Sequence, residues 1–371
     1  MSTQNHFTLP IPSDAVLAER IKASRRKVAR WWECKNTSPV LNLILNRPDF
    51  PTCQADRMWP TPEADPDFAL LAAEQMRWVH HAAFGGDAIP HVAPNFGKRG
   101  TPMVLSFFLG AQPIFGPHTI WYDPIITDIR DFDPEFDPDN AWFKKNLALF
   151  EELAKASPQF ILPDIPGIGD YLTNLSGLRG VQDLIYDVMD SPQEIRRIRE
   201  KMVPIFAEVY GSFAKRYLNP EEGTQTWLVW APGTTYPVQC DFSTMMNPAQ
   251  FREHIMPELE FLSGHLEYMC WHLDGPDEIK HLDALLESPH IKTIQWVPGA
   301  GQPHDCEPQW RPMIEKILAS GRGVILHAYN LEEARTLIET YPAKGLQIIC
   351  WDTMNEENVG KVERYFGEKM W

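Results

Sequence analysis

Strand-like and helix-like segments alternate along the second half of this 371-residue chain, and this order is what most restricts its fold. Each strand-like segment is apolar along its length, as expected when both faces of a parallel sheet are covered. Helical patterns of roughly 10–20 residues follow them, which is typical of βαβ units. The strand-like segments are TWLVWAP (226–232), EYMCWH (267–272), IKTIQWV (291–297), GVILHAY (323–329) and GLQIICW (345–351).

Two kinds of parallel sheet fit this order, a closed (β/α)8 TIM barrel and an open doubly wound sheet. The barrel is favoured because no glycine-rich nucleotide fingerprint follows any strand. GTTYP (233–237) and GAGQP (299–303) match neither GxGxxG nor a P-loop. The length also suits one barrel with insertions. We therefore predict an α/β fold, a single barrel over 39–371, preceded by an N-terminal extension and helix over 1–38.

Charge and cysteine usage limit the partners and the compartment. The net charge of −16 argues against nucleic acid and against anionic membrane surfaces as partners. Six cysteines without a CxxC pair are too sparse for a disulfide framework, which indicates reduced thiols. We see no signal peptide and no apolar run near the ~20 residues that span a bilayer. The sequence thus predicts a cytoplasmic protein that acts on a small molecule.

Polar side chains gather where the predicted strands end. In a parallel barrel these ends meet at one mouth, where catalytic groups lie. His272 and Asp274 are two residues apart in extended backbone and therefore face the same way. Asp241, His327 and Cys350 follow or end other strands. Because histidine, aspartate and cysteine all bind zinc, the mouth is predicted to hold either a metal site or an acid–base site.

Each of these residues also has a structural explanation. A histidine at a strand end is often a hydrogen-bonded wall residue. Cys350 lies in an apolar strand, where a buried and inert thiol is the default. Asp241 and Asp274 stand before helical segments, where an aspartate can cap a helix. Both explanations stay open on the sequence alone.

Aromatic and amide side chains near the strand ends are candidates for substrate binding. The 13 tryptophans are more than a core needs, and a pocket wall is one use for them. Arg179 is the best placed cation for a substrate carboxylate, although a structural ion pair explains it equally well. The candidates at the strands are Trp227, Trp230, Trp271, Gln295, Trp296 and Tyr329.

At these residues the chain resembles the uroporphyrinogen decarboxylase superfamily, a set of (β/α)8 barrels. That superfamily includes zinc-dependent methyltransferases that serve corrinoid proteins and coenzyme M. YMCWHLDGP (268–276) is similar to the strand that carries His-x-Cys in the methyltransferase branch. IICWDTMNEENVGKVERY (348–365) is similar to that branch's last strand and helix, and CDFSTMMNPAQFREHIMPEL (240–259) to an acidic loop and helix of the family.

Other segments resemble a poorly characterised branch of the same superfamily, for which the resemblance implies a fold and no substrate. These segments are LRGVQDLIYD (178–187), DALLE (283–287) and IQWVPGAGQP (294–303). The decarboxylase itself matches less well. Its arginine-bearing N-terminal segment has no counterpart, and the position of its essential aspartate falls near Asn95, which is kept as a candidate for substrate binding.

The resemblance also implies a ligand set and partners. His272 matches the family's zinc histidine and Cys350 its distal zinc cysteine, while Asp274 replaces the middle zinc cysteine. Asp241 would stand near an acidic residue that approaches the metal. Zinc is therefore the implied cofactor, and cobalamin would come only through a separate corrinoid protein. A homodimer also follows from the family pattern.

Three functions are compatible with these residues. The first is a metal-assisted methyltransferase, in which His272, Cys350 and either Asp274 or Asp241 hold zinc. The zinc lowers the pKa of a substrate thiol or oxygen. The second is a metal-free decarboxylase or lyase for a small ring or sugar-like carboxylate, with His272 and an aspartate as acid and base and His327 beside them. The third is a ligand-binding barrel without catalysis. The methyltransferase is favoured.

Overall fold

The central element is a seven-stranded sheet that joins the start of the chain to its second half. The computed structural model describes residues 9, 13–47, 66–94, 103–115, 120–158, 160–217 and 222–371. Within them the strands are β1 (Val40–Asn46), β2 (Ala83–Gly86), β3 (His91–Val92), β4 (Ile114–Phe115), β5 (Ile120–Trp121), β6 (Leu162–Pro163), β7 (Thr224–Thr226), β8 (Val229–Ala231), β9 (Thr235–Val238), β10 (Tyr268–Asp274), β11 (Ile291–Val297), β12 (Gly323–Ala328) and β13 (Leu346–Thr353).

The large sheet has the order β2-β1-β13-β12-β11-β10-β9. All neighbours in it are parallel except the edge pair of β2 and β1. Helices follow the last four strands in turn, so the predicted alternation of strand and helix is confirmed. The molecule is a mixed α/β structure with a parallel central sheet.

Helices surround the sheet, and asparagine side chains begin several of them. Asn247, Asn330 and Asn355 each accept hydrogen bonds from backbone N–H groups of the first turn, which satisfies donors that have no partner inside the helix. The described α-helices are α1 (Asp14–Trp32), α2 (Phe68–His81), α3 (Leu105–Phe108), α4 (Ala141–Ala156), α5 (Tyr171–Arg179), α6 (Val181–Asp190), α7 (Pro192–Ala214), α8 (Pro248–His254), α9 (Met256–Leu262), α10 (Leu282–Glu287), α11 (Arg311–Ala319), α12 (Leu331–Thr340) and α13 (Glu356–Phe366). None of them has the length and apolarity needed to cross a membrane.

One predicted strand is wrong. Residues 226–232 contain the turn and second strand of the β7–β8 hairpin, and the parallel strand of the sheet is β9, which begins after the predicted segment. The hairpin turns at Trp227 and Leu228, whose φ angles are +51° and +64°. Side chains rarely adopt this left-handed conformation, at a cost of about 1–3 kcal/mol each. A hydrogen bond of 3.0 Å from the backbone N–H of Trp227 to Asp164 Oδ2 helps to offset it.

Helix α1 packs against the end of the sheet where the parallel strands begin. The indole N–H of Trp31 donates to the carbonyl of Gly345, just before β13, at 2.8 Å. The indole N–H of Trp32 donates to the carbonyl of Trp230 at 2.9 Å. Both tryptophans are buried in the same hydrophobic core as the sheet. The domain boundary at residue 38 stays a prediction, and the helix before it contributes to the common core.

Asn36, which follows α1, provides a test of this packing. Its Nδ2 donates to the carbonyls of Ser38 and Ala343 at 2.9 and 2.6 Å, and its Oδ1 accepts from Gly345 N–H at 2.9 Å. We expect Asn36→Ala to lower the free energy of unfolding by about 2–4 kcal/mol, because it leaves buried backbone groups without partners. Urea denaturation measures the change. Exposed Gln112→Ala is the control, and an equal effect of both substitutions would contradict the role of Asn36.

Candidate active site at the ends of the parallel strands

His272, near the end of β10, is held from two sides. Its Nδ1 lies 2.9 Å from Gln295 Oε1, and the sheet register pairs the two residues directly. The Trp227 ring lies edge-on to the imidazole, with centroids 5.4 Å apart and an angle of 74° between the planes. An amide oxygen can only accept, so Nδ1 carries the proton. Nε2 is therefore the basic nitrogen of a fixed ring.

The sheet register places three of the predicted residues on one face. Side chains alternate between the faces of a strand, and paired residues of neighbouring strands share a face. His272 pairs with Gln295, and Gln295 pairs with Ile325. His327 is two residues after Ile325 and therefore points to the same side as His272. The structure thus brings His272, Gln295 and His327 together as the sequence predicts.

Asp241 and Asp274 supply the acidic side of this face. Asp241 begins a 3-10 helix after β9, is open to solvent, and accepts a hydrogen bond of 2.9 Å from Gln239 Nε2. Partial removal of its carboxyl from water raises the pKa of Asp241. The nearby His272 lowers this pKa, and the nearby Asp274 raises it. Asp274 lies on the His272 side of β10. Neither side chain caps a helix, because the N-caps of the two following 3-10 helices are Cys240 and Gly275.

His327 is poised as a neutral imidazole. Burial, and to a smaller extent the nearby His272, lowers its pKa to about 4. Its backbone N–H donates to Asp305 Oδ2 at 2.8 Å, and its Nε2 has no hydrogen-bond partner among the described residues. Burial raises the pKa of Asp305 to about 7. A neutral imidazole can accept or donate a hydrogen bond at neutral pH without adding charge to the mouth.

Cys350 does not lie in this group. It pairs with Ala328, one residue beyond His327, and therefore faces the other side of the sheet. Its Sγ lies 3.4 Å from the carbonyl of Asn330, the N-cap residue of α12, so the thiol faces the helix layer. Burial raises the pKa of this thiol, whereas zinc needs a thiolate. The predicted pairing of Cys350 with His272 is wrong, because side chains alternate along β13 and its register with β12 turns the thiol to the other face of the sheet.

The predicted zinc set is accordingly not assembled. No three histidine, cysteine, aspartate or glutamate side chains in the described part of the chain are arranged to hold a metal ion. His272 and Asp274 share a face, but the third predicted ligand points away from them. These residues do not fit a zinc ion in this arrangement.

Three predicted substrate-binding tryptophans lie elsewhere. Trp271 and Trp296 are 1% and 0% exposed and pack against Phe251 and Trp310 outside the sheet. Trp230 lies at the opposite end, where Arg25 of α1 covers its ring at 5.5 Å. Trp271 and Trp296 stand next to His272 and Gln295 in their strands, so the alternation turns both indoles to the opposite face. Trp227, at the hairpin tip, is the tryptophan that reaches His272.

The remaining predicted substrate-binding residues are Arg179, Tyr329 and Asn95. Arg179 bonds Asp187 at 2.7 Å and Asp183 at 3.2 Å, so the structural ion pair explains it. Tyr329 is half exposed on the rim, with its ring 4.5 Å from that of His304. Asn95 lies outside the described residues.

A histidine–carboxylate pair was missed by the sequence reasoning. His91 Nδ1 lies 2.8 Å from Asp164 Oδ2, and both side chains are largely buried. The same carboxylate oxygen accepts the N–H of Trp227 and so connects this pair to the wall of the His272 site. The signal in the sequence is weak, since His91 lies in β3 and Asp164 directly follows β6, and each of these strands has only two residues.

Comparison with known proteins gives a likeness of fold. Neither the family models nor the curated proteins contain a match to this chain. Among solved structures, a methyltransferase from Methanosarcina mazei superposes with a TM-score of 0.58 at 11% identity and covers 89% of this chain and 93% of its own. A Cellulomonas fimi endo-beta-1,4-mannanase double mutant gives a TM-score of 0.32 at 10% identity over 58% of this chain and 54% of its own, too low to carry an argument.

Asp305 supplies a pH test of the site. Its pKa is raised by burial to about 7, so the folded chain loses up to about 4 kcal/mol of stability as the pH rises from the usual range of an aspartate to about 7. Asn resembles the protonated acid. We therefore expect Asp305→Asn to gain stability over the wild type as the pH is raised from about 4 to about 8, in urea denaturation. A stability difference between the two proteins that does not vary with pH would contradict this.

Proposed function

We propose that this chain is a TIM-barrel enzyme distantly related to the uroporphyrinogen decarboxylase superfamily. The short strands beside the large sheet support closure into a barrel. Strand β6 is parallel to β3, and the backbone N–H of Ile165 donates to the carbonyl of Gln225 in β7 at 2.9 Å. Counting β1, β3, β6 and β9 to β13 gives the eight parallel strands of such a barrel. The fold likeness to the methyltransferase and the similar segments in 240–365 agree with this relation.

The proposed reaction is methyl transfer to a small polar acceptor: the acceptor gives its proton to His272 and attacks the methyl carbon of the donor, and the donor's leaving group departs with the electron pair of its bond to that carbon. A thiol, hydroxyl or amine becomes a better nucleophile when it loses its proton, and a fixed imidazole nitrogen can take it. Gln295 orients His272 through Nδ1, so that Nε2 is free to accept. His272 lies close enough to Asp241 to lower the pKa of that carboxyl, and the Asp241 carboxylate would stabilise the imidazolium that forms. This arrangement of His272 is the observation that carries the proposal.

Decarboxylation or a lyase reaction on a carboxylate is the second candidate, and the charges around the site argue against it. A carboxylate substrate needs cationic or hydrogen-bonding partners. The predicted one, Arg179, is engaged by Asp187 and Asp183. Among the described residues, Asp241 accepts a hydrogen bond from Gln239, lies near a second carboxylate, Asp274, and forms no ion pair with an arginine or lysine. Repulsion would therefore weaken the binding of an anion here.

Zinc, a separate corrinoid protein as methyl donor and a homodimer stay predictions. The part played by His272 does not require any of them. Zinc would need a ligand set other than His272, Cys350 and Asp274, since Cys350 faces the helix layer.

Substitution of His272 tests the proposal. Methylcobalamin and methylated amines labelled with ¹³C in the methyl group would be offered as donors, with 2-mercaptoethanesulfonate and other thiols as acceptors. NMR follows the methyl thioether that forms. We expect the wild type to form it and His272→Asn to be about 10²–10⁴-fold slower, because the general base is lost. Asparagine is chosen because its amide can still donate to Gln295.

The matched control is Cys350→Ser, which leaves the proposed base in place. Its rate should remain within about twofold of the wild type after correction for stability, because the thiol contacts a helix cap and not the site. Full activity of His272→Asn, or loss of activity in Cys350→Ser with unchanged folding, would contradict the proposal. Release of carbon dioxide from a small carboxylic acid without methyl transfer would favour the second candidate.

A further inference from the structure

Three carboxyl groups lie together beside His272. Glu278 Oε2 accepts a hydrogen bond from the backbone N–H of Asp274 at 3.2 Å. Burial raises the pKa of Glu278 to about 9, and the charges of Asp241 and Asp274 raise it as well. The charge of Asp274 also raises the pKa of Asp241. Carboxylates that repel one another in this way are stabilised when a positive charge comes between them.

The described protein supplies little positive charge to this group. Among the described residues, Asp241 and Glu278 accept hydrogen bonds from Gln239 and from the backbone of Asp274, and neither forms an ion pair with an arginine or lysine. His272 is a neighbour that favours the charged form of Asp241. Lys280 follows Glu278 by two residues, but it is exposed and donates to the carbonyl of Thr244 at 2.7 Å. Within the described residues the acidic group therefore has no lysine or arginine as a counter-ion.

A buried acceptor points to a ligand at the same place. Gln239 is 4% exposed, and its Nε2 donates to Asp241 Oδ1, so its amide faces the acidic group. Its Oε1 has no hydrogen-bond partner among the described residues, which is costly for a buried polar atom. Trp227 adds a half-buried aromatic ring next to His272. An aromatic ring together with carboxylates is the usual environment of a bound organic cation.

The type of cation follows from the spacing of the groups. A metal ion needs three or more donors at bond distance, and the described side chains do not converge in that way. An alkylated ammonium group spreads its charge over its methyl groups and interacts well with separated carboxylates and with a tryptophan ring. The acidic group and Trp227 match the second type of cation better than the first.

We infer that the mouth binds a small organic cation, a methylated ammonium compound, between Asp241 and Trp227. Gln239 Oε1 faces its polarised methyl groups, and Asp274 adds to the attraction. The inference deepens the proposed function by naming the class of its substrate, and it rests on that function only for the role of the cation in methyl transfer. Binding itself requires no turnover.

Three probes of nearly the same shape isolate the charge. Choline is positive, 3,3-dimethylbutan-1-ol is its neutral carbon analogue, and 3,3-dimethylbutanoate is negative. Isothermal titration calorimetry of the full chain measures each. We expect choline to bind at least about tenfold more tightly than the alcohol, and the carboxylate to bind most weakly. Asp241→Asn and Trp227→Leu should each remove most of the preference, by about fivefold or more. Asp277→Asn, an exposed acid on the helix of Glu278, should leave it unchanged.

Choline binding that is absent, no tighter than that of the alcohol, or equally reduced by Asp277→Asn would overturn the inference. Circular dichroism of each variant confirms its folding. The two proposals fail separately. Selective choline binding without any methyl transfer would leave this inference standing and remove the proposed reaction, whereas methyl transfer with preferred binding of the carboxylate would do the reverse.

Discussion

The two-residue alternation of side chains along parallel strands determines which groups of this protein can meet. The register of β10 to β13 puts His272, Gln295 and His327 on one face, and it puts Trp271, Trp296 and Cys350 on the other. A shift of one residue in any of these strands would exchange the two sets. The site is therefore a consequence of strand pairing, and the asparagine caps and buried tryptophans that hold the strands in place also hold the site.

The groups around His272 lower the stability of the folded chain, and groups that do so are often kept for function. Glu278 and Asp305 are buried carboxyls whose pKa values burial raises to about 9 and about 7. Trp227 is held in a left-handed turn by Asp164, which also contacts His91. Buried acids near one another and strained backbone are both destabilising, and both are concentrated at active sites. A bound cation and a moving proton would relieve the repulsion between the acids.

Much of the architecture could be predicted because the strands of the second half are long and apolar. The segments around 267–272, 291–297, 323–329 and 345–351 correspond to β10 to β13, and His272 and Asp274 share a face by their spacing alone. The hairpin around Trp227 could not be found, because no glycine marks its turn and its stability comes from Asp164, about 60 residues earlier.

The choice of metal ligands failed for a different reason. The nearness of Cys350 to a strand end predicts a position in the site, but only the pairing of β13 with β12 decides on which face of the sheet Cys350 lies. Register is a tertiary property and cannot be read from one strand. The pair of His91 and Asp164 escaped notice because two strands of two residues leave almost no pattern in a sequence.

A crystal structure grown with zinc, with the anomalous signal measured at the zinc edge, tests the alternation most directly. We expect Cys350 Sγ to remain against the carbonyl of Asn330 and His272 Nδ1 against Gln295 Oε1. Any zinc near His272 should then lack a sulfur ligand from residue 350. A single metal ion bound by both side chains would contradict the account, because the two residues would then have to share one face of the sheet.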